Sequence, residues 1–326
     1  FFFFNLLSII DYDYILYVCS VRLVDKMNSN TLVSIRGTEL FVHRWEAKNK
    51  SNPLALIVMF HGFLAHGRYP TVRYAAEFFA EAGYAVVSMD FPGHGRSKGM
   101  RGYLKNADDL IEDGIIMAQH AQSLYNDNSN ESLPLVLCGS SMGGAIALSV
   151  AHRLNQSRKK EGNEDGSIPM VIMMAPMLKL NVSSIEHIAL QCLAFVTPTA
   201  KLIPSSSTNS SKQYRDENKR KECEEDELVD PPGTNNIRVA SALTCVDITL
   251  NISNDFDSIC NPYLLLIADE DVVVKNDGSE EFHAESASQD KTKINYPALH
   301  GLLCEPSPLF DKIKTDILNW LDKRTK

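Results

Sequence analysis

The part of the sequence that most constrains the fold is residues 133–148, which read LPLVLCGSSMGGAIAL. An apolar run enters the pentapeptide GSSMG at residues 139–143, and a run rich in Ala and Leu leaves it. A G-x-S-x-G turn between a strand and a helix is typical of a nucleophilic serine presented above the edge of a sheet. In so tight a turn the residues two before and two after the nucleophile face each other, so both must be small. Because the glycines lie symmetrically about Ser141 and not about Ser140, we predict that Ser141 is the nucleophile.

From about Thr31 onward, short β-like runs alternate with segments of helical periodicity. Several strand candidates are continuous apolar runs, such as LALIVMF and YLLLIA, which suit parallel strands covered by helices on both faces. The alternation predicts an α/β doubly wound, mostly parallel sheet of eight strands. The strand candidates are Val33–Gly37, Leu40–Trp45, Ala55–Phe60, Ala85–Met89, Leu135–Cys138, Met170–Met174, Tyr263–Ile267 and Lys293–Tyr296. The helix candidates are Val72–Ala82, Ala107–Tyr125, Met142–Leu154, Asp277–Ser288 and Leu309–Lys323.

A serine hydroxyl becomes nucleophilic when a histidine, itself held by an acid, accepts its proton, and the expected chain order is serine, acid, histidine. In the last part of the chain only His283 and His300 are available. His283 lies in a helical run, whereas His300 follows the last strand on a loop, so we favour His300 as the base. The acid should follow the strand Tyr263–Ile267 in ADEDVVV, where position alone does not separate Asp269 from Asp271.

Acyl transfer also needs two backbone N–H groups that stabilise the developing negative charge. We expect one from Met142, the residue after the nucleophile, and the other from the loop HGFL that follows the strand Ala55–Phe60. Gly62 lets this loop turn back toward the site, which makes Phe63 N–H the expected second donor. We interpret His61 as a structural residue that orients the loop.

The composition excludes several classes of function. With a net charge of −9, the chain lacks the basic face of a protein that binds the phosphate backbone of nucleic acids, so we expect no nucleic-acid partner. The seven cysteines are widely spaced and include no C-x-x-C, which favours free thiols in a reducing compartment over disulfides or a zinc site. We expect neither a metal nor a cofactor.

The N-terminal residues 1–18, FFFFNLLSIIDYDYILYV, form the only long apolar run. Asp11 and Asp13 lie within it, where each would cost about 2.5–3.5 kcal/mol at the centre of a membrane. No basic residue precedes the run, and the first methionine is Met27. We therefore expect the native product to start at Met27, residues 1–26 to lie outside the folded domain, and the protein to be cytoplasmic, with some contact to membrane surfaces.

Residues 27–326 are predicted to form one domain with an insertion at about 176–235. The insertion begins with the apolar run LNVSSIEHIALQCLAFV, continues through the polar tract PSSSTNSS and ends in the charged run KQYRDENKRKECEEDELVDPPG. This pattern predicts one apolar helix, a flexible link and a solvated charged segment over the sheet.

The chain resembles the monoacylglycerol lipase family of α/β-hydrolases in five segments, FHGFLAHGRY, MDFPGHGRSKGMRGY, CGSSMGG, ADEDVVV and LHGLLCEP. They occur in family order between about residues 31 and 322, and the pattern is most similar to the plant-type monoacylglycerol lipases and caffeoylshikimate esterases. The resemblance implies an α/β-hydrolase fold whose insertion is a helical lid. The site residues that it implies are Ser141 as nucleophile, Asp271 as acid, His300 as base, and Phe63 and Met142 as oxyanion donors.

In such enzymes the lid borders an apolar trench for the acyl chain, and the apolar helix of the insertion also suits transient contact with a membrane surface. The alternative is that this helix is buried against the sheet. The residues expected at the trench are Ile185, Ile188, Leu190, Leu193, Phe195 and Val196.

The expected function is therefore a serine carboxylic-ester hydrolase that acts on a small lipid, a monoacylglycerol or lysophospholipid, through an acyl-enzyme. Three alternatives stay open: the same chemistry on small soluble esters such as phenolic esters, an amidase or peptidase, and a non-catalytic receptor or scaffold with this fold.

Overall fold

The computed structural model describes residues 31–33, 37–48, 52–125, 133–162, 168–205, 209–230 and 236–326. The expected start at Met27 and the apolar segment 1–26 therefore lie outside the described residues. Within the described ranges, none of the helices combines the length and the apolar composition that crossing a membrane requires. Six cysteines fall in these ranges, and all six are free thiols.

The elements alternate along most of the chain, as the hydrophobic pattern predicted. The strands are β1 Thr31–Val33, β2 Glu39–Trp45, β3 Leu56–Phe60, β4 Ala85–Met89, β5 Leu135–Ser140, β6 Met170–Met174, β7 Lys201–Pro204, β8 Asn236–Arg238, β9 Tyr263–Ala268 and β10 Lys291–Tyr296. The helices are α1 Pro70–Glu81, α2 Ala107–Tyr125, α3 Met142–Lys160, α4 Ser184–Val196, α5 Ser210–Gln213, α6 Glu217–Glu224, α7 Val239–Ser253, α8 Asp277–Glu285 and α9 Leu309–Thr325. Short 3₁₀ turns lie at Phe256–Ser258 and Leu302–Cys304.

Eight of the described strands form one sheet in the order β1-β2-β4-β3-β5-β6-β9-β10. The strands β4, β3, β5, β6, β9 and β10 are parallel, whereas β1 and β2 run antiparallel at one edge. The prediction of a mostly parallel α/β sheet is confirmed.

Alternate residues of the central strands enter separate cores on the two faces of the sheet. In β3, Val58 and Phe60 pack into one apolar cluster and Ile57 and Met59 into the other, and all of them are buried. A strand buried on both faces needs apolar side chains at every position, which explains the continuous run LIVMF. The sheet is therefore the middle layer of three, and the carboxyl ends of its parallel strands share one edge.

The first strand includes two residues that precede the predicted range. It spans Thr31–Val33, and Val33 pairs with Glu39 of β2. Gly37 has φ of +74° and belongs to the connection between the strands, not to the predicted strand Val33–Gly37. A positive φ is compatible with a turn and not with a strand, so the glycine marks the reversal of the chain.

Helix α7 was missed by the sequence pattern. Its sequence VASALTCVDITLNIS is rich in β-branched residues, which have low intrinsic helix propensity, and no clear polar face marks its period. Tertiary contacts account for it, because Cys245, Ile248 and Ile252 join the larger apolar core. The two-stranded antiparallel sheet β7–β8 next to it was also missed, because each strand is very short.

The insertion differs from its prediction at both ends. The lid helix α4 begins with a capping box between Ser183 and Glu186, but none of its residues is fully buried, so the alternative of a helix buried against the sheet is wrong. The charged run is not simply solvated, because Tyr214 and Cys223 within it are only 6% and 2% exposed. The run therefore contains a few buried residues among its charged ones.

Ser241 of α7 holds the loop between β4 and α2 in place. Its hydroxyl donates to Gly102 O at 2.8 Å and accepts from Leu104 N at 2.9 Å, and the residue is fully buried. We expect Ser241→Ala to lower the free energy of unfolding by about 1–3 kcal/mol, because two buried backbone groups lose their partner. Urea unfolding measures this.

The control is Ser253→Ala on the same helix, because that exposed hydroxyl bonds only to Leu250 O within its own turn. Its free energy of unfolding should change by less than about 0.5 kcal/mol. Equal effects of the two substitutions would contradict the assignment of Ser241 as an anchor.

Candidate active site

Ser141 lies at the turn between β5 and α3, in a backbone conformation that few residues other than glycine adopt. Its φ is +56° and its ψ is −125°, a strained combination for a residue with a side chain. The end of β6 and the loop after it hold it there, because Ser141 N donates to Met174 O at 3.1 Å and Met177 N donates to Ser141 O at 2.9 Å. The turn therefore has the geometry of a nucleophile elbow.

The two glycines around Ser141 are required by close backbone approach. A Cβ on Gly139 would lie 2.1 Å from Gly143 O, and a Cβ on Gly143 would lie 2.1 Å from Phe60 O. No side chain fits at such distances, and the contacts are with backbone that has no room to shift. Both positions must be glycine, but for different contacts: Gly139 packs against Gly143, and Gly143 packs against the end of β3.

His300 makes a short hydrogen bond to Asp271 and not to Asp269. His300 Nδ1 lies 2.6 Å from Asp271 Oδ2, and the two side chains are 6% and 0% exposed. Asp269 instead accepts from Asn295 Nδ2 at 2.7 Å on an exposed surface. His283 lies on α8 and contacts Tyr263 OH at 3.0 Å, consistent with the packing role expected for it.

Asp271 is held by the backbone that follows it. Its Oδ1 accepts from Val273 N at 2.7 Å and from Val274 N at 3.0 Å, which leaves Oδ2 for His300. With Nδ1 of the imidazole donating to this carboxylate, Nε2 is the nitrogen left to accept a proton from a hydroxyl. The turn ADEDVVV therefore fixes both the orientation and the tautomer of His300.

Ser141 and His300 line the same cavity, of about 900 Å³ counted with its open mouth. Gly62 and Phe63 also line it, and a Cβ on Gly62 would lie 3.5 Å from the Cβ of Ser141, so their loop runs directly past the serine. Nowhere in the described ranges do three or more His, Cys, Asp or Glu side chains form a group suited to hold a metal ion.

Phe63 and Met142, the expected oxyanion donors, flank the serine. Met142 is the first residue of α3, where the backbone N–H has no acceptor within the helix and carries the positive end of the helix dipole. Phe63 lies in a tight turn closed by Ala65 N donating to Gly62 O at 3.2 Å, and Leu64 in this turn has φ of +63°.

His61 fixes the start of this turn. Its Nε2 accepts from Phe91 N at 3.0 Å, so the ring proton is on Nδ1, which donates to Gly62 O at 2.8 Å. Burial, together with the nearby His94, lowers the pKa of His61 to about 3, so the ring is neutral at physiological pH. The contacts agree with the interpretation of His61 as a structural residue.

The predicted lid residues do not line the cavity that contains Ser141. Ile185, Ile188 and Phe195 of α4 are 80%, 59% and 91% exposed, and Leu193 is half-buried. The charged part of the insertion forms that wall instead, which the sequence reasoning missed. The sequence signal was the presence of a tyrosine and a cysteine within a highly charged run. The wall includes Gln213, Tyr214, Cys223, Glu224, Val229 and Asp230.

Comparisons with known proteins show the family to which the chain belongs. A family model described as serine aminopeptidase S33 matches residues 51–307. The chain belongs to this family. It is 27% identical to the monoglyceride lipase of Homo sapiens over 299 residues, which is 90% of each chain, and 23% identical to the monoacylglycerol lipase of Mycolicibacterium smegmatis over 90% of this chain and 96% of that one.

Solved structures of family members share the fold. A soluble variant of monoglyceride lipase from Saccharomyces cerevisiae, in complex with a substrate analogue, superposes with a TM-score of 0.73 at 19% identity, covering 89% of this chain and 93% of that one. The monoacylglycerol lipase of Paleococcus ferrophilus gives 0.67 at 22% identity, covering 87% and 98%. The expected resemblance to the monoacylglycerol lipase family is confirmed, and the protein is a serine hydrolase of the esterase and lipase type.

Asp90, directly after β4, holds the loops near Ser141 in place. Its Oδ1 accepts from His43 Nε2 at 2.8 Å and from Gly67 N at 2.6 Å, and its Oδ2 accepts from Arg96 N at 2.8 Å. Burial acts to raise the pKa of Asp90, but the hydrogen bonds and the charge of His43 outweigh burial and lower it to about 2.

We expect the stability contributed by the Asp90 charge to depend on pH. Because the folded-state pKa lies below the ordinary value of 3.8, this stability is fully present above about pH 4 and is lost as the pH falls toward 2. The free energy of unfolding of Asp90→Asn should therefore fall below that of the native chain by about 2 kcal/mol more at pH 7 than near pH 2. Urea unfolding of both chains over this range measures the difference.

Asp108→Asn is the control, because Asp108 is an exposed carboxylate paired with Arg153. Its effect should be small at every pH. A loss in Asp90→Asn that stays constant from pH 7 to pH 2 would contradict the role given to the charge.

Proposed function

We propose that the protein hydrolyses the ester bond of monoacylglycerols or lysophospholipids with Ser141, Asp271 and His300 as its catalytic triad. The observation that carries the proposal is the 2.6 Å bond between His300 and a buried Asp271, beside a strained serine in the same cavity. The names of the curated relatives in Homo sapiens and Mycolicibacterium smegmatis support the substrate class.

In the first half-reaction Ser141 Oγ attacks the ester carbonyl carbon while His300 Nε2 takes the hydroxyl proton. The Asp271 carboxylate stabilises the imidazolium that forms. The oxyanion accepts hydrogen bonds from Met142 N–H and Phe63 N–H, which are already oriented, so little reorganisation accompanies the charge development. The C–O bond of the ester then breaks, and the alcohol leaves with the proton from His300.

In the second half-reaction a water replaces the alcohol. His300 Nε2 removes a proton from the water as it attacks the acyl carbon of the ester on Ser141. The bond to Ser141 Oγ breaks, the serine regains its proton from His300, and a fatty acid is released. Each step uses one proton acceptor and the same oxyanion donors, so the described residues suffice for the whole cycle.

The exposed face of the lid helix supports a substrate held in lipid aggregates. Ile185, Phe195 and Val196 are at least 78% exposed, and Leu202 of β7 beside them is 52% exposed. Large apolar side chains in contact with water are costly unless another apolar surface covers them. We infer that Ile185, Ile188, Leu193 and Phe195 meet the acyl layer of a membrane or micelle during transient docking.

The triad is tested with a monoacylglycerol dispersion and a short soluble ester. We expect Ser141→Ala and His300→Ala to lower kcat by at least about 10³-fold, and Asp271→Asn to lower it by about 10⁴-fold, because the amide favours the tautomer of His300 in which Nε2 carries the proton. Released fatty acid is measured by titration.

Asp269→Asn is the matched control, since it alters the neighbouring carboxylate that does not touch His300. Its kcat should stay within about twofold of the native value. Full activity in Ser141→Ala would refute the mechanism, and turnover of the soluble ester alone would assign the protein to small-ester hydrolysis. Amide cleavage without ester cleavage would assign it to the amidases.

The role of the lid helix is tested with the double substitution Ile185→Ser and Phe195→Ser. Because exposed side chains are changed, we expect the soluble ester to be hydrolysed at the native rate, while the rate on the dispersion falls about tenfold. Sedimentation with neutral phospholipid vesicles should fall in parallel.

Ile168→Ser is the control for loss of exposed apolar surface. Ile168 is 36% exposed and precedes β6, so it lies at the sheet edge opposite Ser141. Equal losses in this control and the double variant would contradict docking through α4.

A further inference from the structure

The charged part of the insertion is fastened to the loop that carries His300. We call residues 213–219 the anchor segment and residues 297–305 the histidine loop. Gly301 N, next to His300, donates to Gln213 O at 2.8 Å. A Cβ on Gly301 would lie 2.4 Å from Cδ1 of Tyr214, so the Tyr214 ring packs directly on the backbone of Gly301.

Further bonds continue along both segments. Asp216 N donates to Cys304 O at 3.1 Å. Lys219 Nζ donates to Leu303 O at 3.2 Å and to Glu305 O at 2.8 Å. The carbonyls at the end of the histidine loop therefore accept hydrogen bonds from groups of the insertion and not from the sheet.

Arg215 links this contact to the loop that carries the acid. Its Nε lies 3.1 Å from Glu305 Oε2, and its Nη2 lies 2.9 Å from Glu270 Oε2. Glu270 directly precedes Asp271. One planar guanidinium thus contacts the acid loop with one nitrogen and the histidine loop with another, a geometry that a lysine does not reproduce.

Glu305 connects Arg215 to Leu299, the residue before His300. Its side chain is 1% exposed, and its Oε1 accepts from Leu299 N at 2.7 Å. Burial raises the pKa of Glu305, Leu299 N–H and the charges of Arg215 and Lys219 act to lower it, and Glu270 acts to raise it. The charge on Glu305, and with it the strength of the bond to Leu299 N–H, therefore depends on Arg215.

We propose that Arg215 is a positioning residue for the reaction: through Glu305 and Glu270 it holds the loops of His300 and Asp271 in register with each other. This inference rests on the proposed function of these two residues. The insertion then does more than wall the cavity, because its displacement from the histidine loop removes the support of the base. The enzyme is therefore active only while the anchor segment is bonded to the histidine loop.

The test compares Arg215→Ala, Arg215→Lys and Glu305→Gln on the short soluble ester. If Arg215 positions the base, Arg215→Ala lowers kcat between about 10-fold and 100-fold with KM nearly unchanged. Arg215→Lys restores part of the loss, because an ammonium replaces only one of the two contacts. In the double variant Arg215→Ala with Glu305→Gln, kcat falls no further than in Glu305→Gln alone.

The pH profile gives a readout that general destabilisation would not change. Without Arg215 the pKa of Glu305 rises, so Arg215→Ala should lose activity on acidification at a higher pH than the native enzyme. Glu305→Gln should lack this added shift. Thermal melting of each variant confirms that the assays are run on folded protein.

Lys221→Ala is the matched control, because it removes a cation and an ion pair with Glu225 from the same part of the insertion without touching either loop. Its kcat and pH profile should equal the native ones. Labelling of Ser141 by a fluorophosphonate distinguishes a failure of the proposed function from a failure of the role given to Arg215. Failure of the native protein to label or to hydrolyse esters overturns the proposed function. Native-like labelling and kcat in Arg215→Ala, beside an inactive Ser141→Ala, overturn only the role of Arg215.

Discussion

The strained turn at Ser141 is the constraint on which the rest of the site depends. A serine with φ of +56° persists only if the surrounding backbone leaves it no other conformation, and here β6 and the loop after it bond to its N–H and its carbonyl. Gly139 and Gly143 allow the close backbone contacts of the turn itself, since any side chain at either position would meet backbone oxygen at 2.1 Å. The buried sheet acts as a rigid support, and its packing offsets the local strain.

Around this turn, buried side chains make the hydrogen bonds to loop backbone that solvent makes in exposed loops. His61 stays neutral because it is fully buried, and so it accepts from one loop and donates to another without carrying a charge. Asp90 stays charged because His43 and two backbone N–H groups surround its carboxylate. The contacts of His61 and Asp90 fix the loop that contains Phe63, so this loop is ordered as the proposed oxyanion donor requires.

The sequence was most informative where a single local rule decides the structure. The elbow at Ser141 and the strands of the sheet follow from steric and burial patterns that a few neighbouring residues determine. Local order left Asp269 and Asp271 as alternatives, and the spatial pairing of His300 with Asp271 separates them. Helix α7 and the anchor segment were missed for the same reason: their conformation depends on partners more than 80 residues away in the chain, which no local pattern reports.

The insertion divides these long-range tasks between two parts of opposite chemistry. Its apolar helix α4 has no fully buried residue, and Ile185, Ile188 and Phe195 are exposed and available to a lipid surface. Its charged segment buries Tyr214 and contacts the loops of His300 and Asp271 through the more exposed Arg215. Under the proposed function the insertion serves the reaction in two ways: its apolar helix meets the lipid layer, and its charged segment supports the loops of His300 and Asp271.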